Sequence, residues 1–222
     1  MFTWIRTWLP AHRFQVLLWG LLLIIILRAF AEIDQEFGEG VAAIGLALPL
    51  FALFSATETR HRLVVTVVLA MSAAVSSAGV LSGALSVRQS AALEANVAFL
   101  GFVTFLVFAG VFRSSRVTGD VLAGAIAGYI LLGLDWAGVH ALVEAYRPQS
   151  YSLTTGGPLS YNDLVYFSFV TLMSIGYGDI TPVTGPARVL VICEGITGVA
   201  FNTIVLATLV SKYLVHSEQT PD

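Results

Sequence analysis

The sequence predicts an all-α membrane protein with six transmembrane helices and a short re-entrant helix and glycine-containing loop between the fifth and sixth. Of its 222 residues, 57% are hydrophobic and only 11% are charged, a composition that a soluble domain of this size does not tolerate. Crossing about 30 Å of hydrocarbon takes roughly 20 apolar residues. Such segments lie near residues 14–31, 40–57, 63–81, 95–112, 119–145 and 187–213.

Basic residues predict the orientation, because cytoplasmic loops carry the excess of lysine and arginine. Seven fall on the side of the termini and four on the opposite side: Arg6, Arg13, Arg60, Arg62, Arg113, Arg116 and Lys212 against Arg28, Arg88, Arg147 and Arg188. Both termini are therefore expected in the cytoplasm. The first apolar segment also resembles a secretory signal peptide, although an uncleaved first helix is favoured.

The hexapeptide at residues 174–179, Ser-Ile-Gly-Tyr-Gly-Asp, is the most informative motif. Aiming successive carbonyl groups at one axis requires left-handed backbone conformations, which Gly176 and Gly178 adopt without a Cβ penalty. The carbonyls of Ser174, Ile175, Gly176 and Tyr177, with the Ser174 hydroxyl, can then replace the water around K⁺ if four copies surround the axis. The chain holds one copy, so this motif predicts a tetrameric pore with a selectivity filter.

The run from Tyr166 to Thr184 resembles the potassium-channel superfamily, in particular bacterial six-span channels with a single pore loop and no charged voltage-sensor helix. The resemblance covers roughly residues 118–215. It implies a homotetramer that conducts K⁺ passively in a bacterial inner membrane. It implies that K⁺ ions bind in the pore and that no other cofactor is needed. The expected partners are membrane lipids and not nucleic acid, and the resemblance does not decide whether a regulatory subunit exists.

The motif departs from the usual pattern of the family at four positions. Ser174 and Met173 stand where threonine is common, Ile175 replaces valine, and Val170 replaces a glutamate that some bacterial members pair with the filter aspartate. Serine keeps the hydroxyl but lacks the methyl group that restricts the threonine rotamer. We expect a looser innermost ion site and altered packing behind the filter.

A pore helix is expected over residues 161–172. Ser160 and Asp163 match a capping box, and the negative end of the helix dipole then faces the filter. By resemblance, Asp179 is tied to Tyr166, and Thr171 also supports the filter. Tyr177 is expected to pack in an aromatic cuff, which is completed by Tyr166, Phe167 and Phe169.

The last helix is expected to carry the gate. By resemblance, Gly198 lies at the hinge position, although close helix packing explains a small residue there equally well. Helical spacing turns Asn202, Leu206 and Val210 toward the axis. Asn202 then lines the cavity and the apolar residues form a constriction that gates by dewetting; a hydrogen bond from Asn202 to a neighbouring helix is the alternative.

Carboxyl groups inside membrane spans are costly and are candidates for function. For Glu194 we favour a structural bond behind the filter, with protonation-dependent modulation as the alternative. Asp135 is either a modulator or a protonated acid bonded to a backbone carbonyl. His140 and Glu144, one turn apart, form either an external pH switch or an interfacial polar cluster.

The chain divides into a four-helix transmembrane domain at residues 1–117 and a pore domain at 118–222. No charged residue lies between Asn96 and Phe112, whereas a voltage sensor needs about three or four moving charges per subunit. We therefore expect a potassium channel without strong voltage gating. The alternatives are a poorly selective monovalent cation channel, a channel gated by lipid, pH or a partner subunit, and a transporter subunit. The acid and histidine spacing does not suit an enzyme.

Overall fold

The computed structural model of the protein describes residues 12–31, 85–114 and 116–218. These residues form five α-helices and two β-strands: α1 (Arg13–Ala31), α2 (Leu85–Arg113), α3 (Gly119–Tyr146), β1 (Tyr151–Leu153), α4 (Tyr161–Leu172), β2 (Ile180–Pro182) and α5 (Gly185–Glu218). The expected second and third spans, at 40–57 and 63–81, lie outside the described residues.

Three of the described helices are long and apolar enough to cross a membrane. They contain the segments Leu93–Arg113, Gly119–Tyr146 and Gly185–Lys212. These segments coincide with the fourth, fifth and sixth spans of the sequence analysis. A shorter apolar helix, Arg13–Leu23, lies within the expected first span. The protein is therefore a helical integral membrane protein, and the count of six spans stays a prediction.

Among the described residues, one compact unit consists of 12–31 and 103–130. The first backbone amides of a helix have no partner within the helix. In α1 the amides of Phe14 and Gln15 donate to Oδ1 of Asp120, at 3.0 and 3.1 Å. The Phe14 ring packs on two glycines, since a Cβ at Gly110 or Gly124 would lie 2.9 or 2.8 Å from it.

The other compact unit contains residues 85–102 and 131–218 of the described chain. Its two strands are antiparallel, with Tyr151 opposite Pro182 and Leu153 opposite Ile180. The sequence did not predict these strands, because strands of three residues are too short to show an alternating pattern. The core of this unit contains Ala141, Tyr151, Leu164, Phe167, Ile180 and Ala187.

Candidate ion-conduction site

Helix α4 begins at the capping box that the sequence indicated. Oγ of Ser160 accepts the Asp163 amide at 3.2 Å, and Oδ2 of Asp163 accepts the Ser160 amide at 2.7 Å. Each side chain satisfies a backbone donor at the helix start. The helix spans Tyr161–Leu172, the range expected from the sequence, and its carboxyl end leads directly into the glycine-containing loop.

The loop backbone alternates between left-handed and ordinary conformations. The φ angle is positive at Ser174 (58°), Gly176 (60°) and Gly178 (78°). Serine adopts this conformation less readily than glycine. The amides of Ile175 and Gly176 donate to the Val170 carbonyl at 2.9 and 3.3 Å, so the start of the loop is fastened to the end of α4 through its N–H groups.

The carbonyl groups of residues 174–177 are left as free acceptors by the described part of the chain. No backbone hydrogen bond outside the regular elements ends on them, and these residues are exposed in the single chain. A carbonyl group without a hydrogen-bond donor is costly unless water, another chain or an ion satisfies it. A stack of such oxygens, held on a fixed backbone, suits a cation that has lost its water.

Asp179 holds the outer end of this loop. Its Oδ2 accepts the Tyr166 hydroxyl at 2.7 Å, which is the hydrogen bond that the family resemblance implied. This bond is the main cause that raises the pKa of Tyr166. The Asp179 carbonyl accepts both the amide and the hydroxyl of Thr154, at 2.9 and 3.1 Å. Sequence reasoning missed Thr154, because its role depends on the pairing of β1 with β2.

The expected aromatic cuff around Tyr177 is wrong for two of its members. The Phe167 ring lies 5.3 Å from the His140 ring and 5.5 Å from the Tyr151 ring. Phe169 packs on α3 at Gly133, where a Cβ would lie 2.7 Å from its ring. Gly133 of α3 leaves room for the Phe169 ring, while the Tyr177 side chain is 70% exposed.

Helix α5 approaches the end of α4 at Gly198. A Cβ there would lie 2.2 Å from the Leu172 carbonyl oxygen, so the structure supports the close-packing explanation and the hinge role stays a prediction. Asn202 is exposed in the single chain, as is Val210 at 49%; Leu206 lies on the same helix. Thr171 supports the loop through its carbonyl, which accepts the Ser174 amide at 2.9 Å.

His140 and Glu194 form a buried pair, with 2.8 Å between Nε2 and Oε2 and no exposed surface on either side chain. The expected partnership of His140 with Glu144 is therefore corrected. Glu144 instead accepts the amides of Gln149, Ser150 and Tyr151, at 2.8, 3.0 and 3.2 Å. It fixes the chain reversal that follows α3, because three donors converge on one carboxylate.

Asp135 lies against α2, where a Cβ at Gly101 would be 3.2 Å from its Oδ2. Its Oδ1 is buried without a hydrogen-bond partner, so the expected bond to a backbone carbonyl is not made by this atom. Within the described ranges, no group of three or more histidine, cysteine or acidic side chains is arranged to hold a metal ion.

A membrane-spanning helical protein with a pore-type helix and a loop of free carbonyls belongs to the class of ion channels. The family model described as "Ion channel" matches residues 121–214. Protein LctB of Geobacillus stearothermophilus is 32% identical over 117 residues, which cover 50% of this chain and 86% of that protein. The chain belongs to the potassium channel superfamily and is an ion channel, not an enzyme.

Two further relatives are named as potassium channels. The voltage-gated potassium channel Kch of Escherichia coli (strain K12) is 34% identical over 105 residues, covering 45% of this chain and 23% of that protein. The two pore potassium channel c of Oryza sativa subsp. japonica is 39% identical over 70 residues, covering 32% of this chain and 15% of that protein. The chain thus spans less than a quarter of either. No solved structure matches the chain.

Proposed function

We propose that this protein is a potassium-selective channel that conducts K⁺ passively as a homotetramer. The observation that carries the proposal is the loop at 174–178, where positive φ angles alternate along the chain and the carbonyls of 174–177 receive no hydrogen bond from the described residues. Rings of such carbonyls replace the hydration shell of K⁺ in selectivity filters. The Ser174 hydroxyl adds a further ligand at the inner end.

Fourfold assembly is supported by the exposed apolar face of α5. Only 18% of the apolar membrane-spanning stretch of this helix is buried in the single chain, against 67% of the corresponding stretch of α3. Six of its exposed apolar side chains have between 49% and 64% of their surface free: Val189, Ile192, Ile196, Val199, Ile204 and Val210. One chain supplies one filter loop, so neighbouring copies around an axis are the partners that complete the ion sites and cover part of this face. Membrane lipids cover the outer helices.

The pore helix supplies a favourable potential for a cation. A helix carries roughly half a negative charge at its carboxyl end, and α4 ends at Leu172, two residues before Ser174. Four such ends would surround a partly dehydrated ion. Asn202 and Val210 then line the cavity below, with Leu206 between them along α5, because Asn202 and Val210 are exposed in the single chain.

Weak voltage dependence is expected because the middle of the membrane-spanning part of α2 lacks charged side chains. Between Asn96 and Phe112 this helix has no charged side chain, and Arg113 lies at its end. We therefore assign residues 1–117 to a transmembrane domain without a voltage sensor and residues 118–222 to the pore domain. From the distribution of basic residues we propose that both termini lie in the cytoplasm, and from the family resemblance that the protein lies in a bacterial inner membrane.

The test compares two glycines of similar backbone conformation. Gly176 has φ +60° in the filter loop and Gly156 has φ +74° in the connection after β1; neither would meet an atom within 4 Å if a Cβ were added. We expect Gly176→Ala to abolish K⁺ flux in liposomes and Gly156→Ala to preserve it, although both pay a similar backbone penalty. Selective K⁺ flux in Gly176→Ala would contradict the filter assignment. Equal K⁺ and Na⁺ flux in the unaltered protein would favour the poorly selective channel.

A further inference from the structure

A buried chain of hydrogen bonds joins α3, β1, α4 and α5. We call Tyr151, His140, Glu194 and Ser168 the Glu194 cluster. The Tyr151 hydroxyl lies 2.6 Å from Nδ1 of His140, whose Nε2 lies 2.8 Å from Oε2 of Glu194. Oγ of Ser168 lies 2.6 Å from Oε1 of Glu194 and 2.7 Å from the Gly133 carbonyl. All four contacts are short enough to be hydrogen bonds.

Each hydrogen bond needs one proton, so the four contacts of the Glu194 cluster need four. Tyr151, a neutral His140 and Ser168 provide three. If Glu194 were ionised, Ser168 would face two acceptors with a single proton to donate, and one contact would join two oxygen atoms with no hydrogen between them. The negative charge would also lie on a side chain with 0% exposure, which is costly.

A doubly protonated His140 beside an ionised Glu194 does not solve the problem. Nδ1 would then donate to the Tyr151 oxygen, and the Tyr151 hydroxyl proton would have no acceptor among its described contacts. Ser168 would still face two acceptors. A protonated Glu194 satisfies every contact: Tyr151 donates to His140, His140 to Glu194, Glu194 to Ser168, and Ser168 to the Gly133 carbonyl. The cluster then carries no net charge.

The titratable groups that face Glu194 are His140 of α3 and Tyr151 of β1. Glu144 lies one turn beyond His140, and its carboxylate accepts three backbone amides. Burial is the main cause that raises the pKa of the Tyr151 hydroxyl above its ordinary value. Tyr151 therefore remains a donor at neutral pH, as the count of protons requires.

The cluster lies where it can control the position of the filter. Glu194 and Gly198 are four residues apart and share a face of α5, and they meet α4 at Ser168 and at the Leu172 carbonyl. The other end of the cluster is Tyr151 of β1, and Thr154, which follows β1, binds the Asp179 carbonyl. These contacts connect Glu194 to the start of the filter loop through α4 and to its outer end through β1 and Thr154.

We propose that Glu194 is a positioning residue of the filter that works in its protonated form, donating to Ser168 and accepting from His140. Its effect on conduction rests on the proposed function; its protonation does not. Infrared spectra of the purified protein at pH 7 test the protonation directly. The carbonyl stretch of protonated carboxylic acids should lose intensity in Glu194→Gln relative to the unaltered protein and keep its intensity in Glu144→Gln, while any contribution from the buried Asp135 is the same in all three proteins. A spectrum without that difference would overturn the proposal, whether or not the protein conducts K⁺.

The positioning role is tested by conservative and disruptive variants. A glutamine at 194 has both the donor and the acceptor that the cluster needs, so Glu194→Gln should keep K⁺ flux within about twofold of the unaltered protein. Glu194→Leu and Ser168→Ala leave buried polar groups without partners and should lower flux by roughly tenfold. Ser152→Ala, at an exposed position of β1, is the matched control and should have no effect.

The K⁺ dependence of the melting temperature distinguishes an effect on the position of the filter from an effect on the stability of the whole protein. Occupied K⁺ sites stabilise the folded protein by mass action, so the melting temperature should rise with K⁺ concentration. Ser168→Ala should shift this rise to higher K⁺ concentration, whereas Glu194→Gln should not. Equal losses in Glu194→Gln and Glu194→Leu, or an unchanged K⁺ dependence in Ser168→Ala, would contradict the role of Glu194 in positioning the filter.

Discussion

The close contact between α5 and the end of the pore helix lies at Gly198, the one described glycine of α5 at which an added Cβ would meet another atom within 4 Å. A Cβ at this position would lie 2.2 Å from the carbonyl oxygen of Leu172, 3.1 Å from its carbonyl carbon and 3.3 Å from its Cα. All three atoms are backbone, so a change of side-chain rotamer cannot relieve the contact. At Gly195, three residues earlier on the same helix, a Cβ would meet nothing within 4 Å.

The stability of the protein should respond differently to alanine at these two glycines. Ordinary carbon–oxygen contacts exceed 3 Å, so Gly198→Ala must move α5 away from α4 by about 1 Å, and overpacking of this kind costs about 1–3 kcal/mol or more. Replacing glycine by alanine inside a helix gains about 1 kcal/mol. Gly198→Ala should therefore destabilise the protein by up to about 2 kcal/mol, whereas Gly195→Ala should be neutral or stabilising.

Thermal unfolding in detergent measures this difference, and K⁺ flux in liposomes measures its consequence. Leu172 immediately precedes the residues that lead into the filter, so we expect Gly198→Ala to reduce flux as well as stability, while Gly195→Ala keeps both. Equal stability and equal K⁺ flux in the two variants would contradict a role for this contact. Full flux in a destabilised Gly198→Ala would show that the contact supports the fold but not the filter.

Four further predictions concern other residues. Tyr166→Phe removes the hydrogen bond to Asp179 and should shorten the time for which a K⁺ current is sustained in planar bilayers; an unchanged time course would exclude a supporting role. In the unaltered protein, the hydrogen bond to Asp179 raises the pKa of Tyr166. This support is therefore fully present below about pH 10, the ordinary tyrosine value, and is lost only as the pH rises further. Currents that collapse between pH 7 and 9 would contradict it. Asn202→Leu should lower single-channel conductance, since an apolar side chain replaces an exposed polar one, and unchanged conductance would place Asn202 outside the cavity. Asp120→Ala should destabilise the protein by about 1 kcal/mol in thermal unfolding, as loss of a helix N-cap does, while Asp120→Asn, which keeps an acceptor, should lose less.

Local signals made the pore helix predictable. A capping box spans four residues and a filter loop six, so the chemistry that forms each is contained in the segment itself. The start of α4 after Ser160 was therefore accessible from the sequence, whereas the Tyr166–Asp179 hydrogen bond was expected only from the resemblance to the potassium-channel superfamily. The helical character of residues 119–145 and 187–213 followed from continuous apolar composition for the same reason.

Contacts between distant segments were not predictable in the same way. His140 and Glu194 are 54 positions apart, and Glu144, one turn from His140, was the nearer candidate in sequence. The choice depends on the rotation of α3, which places His140 inward and leaves Glu144 to bind three backbone amides. Phe167 and Phe169 were misplaced for a related reason, because the space at Gly133 that receives Phe169 exists only after α3 and α4 have packed.

The central claim is that the carbonyls of residues 174–177 select K⁺ in a fourfold ring. The most direct measurement is the reversal potential of the purified protein in planar bilayers with K⁺ on one side and Na⁺ on the other. A potassium-selective filter should give a reversal potential displaced strongly in the direction set by K⁺. A reversal potential near zero, with currents carried equally by both ions, would contradict it.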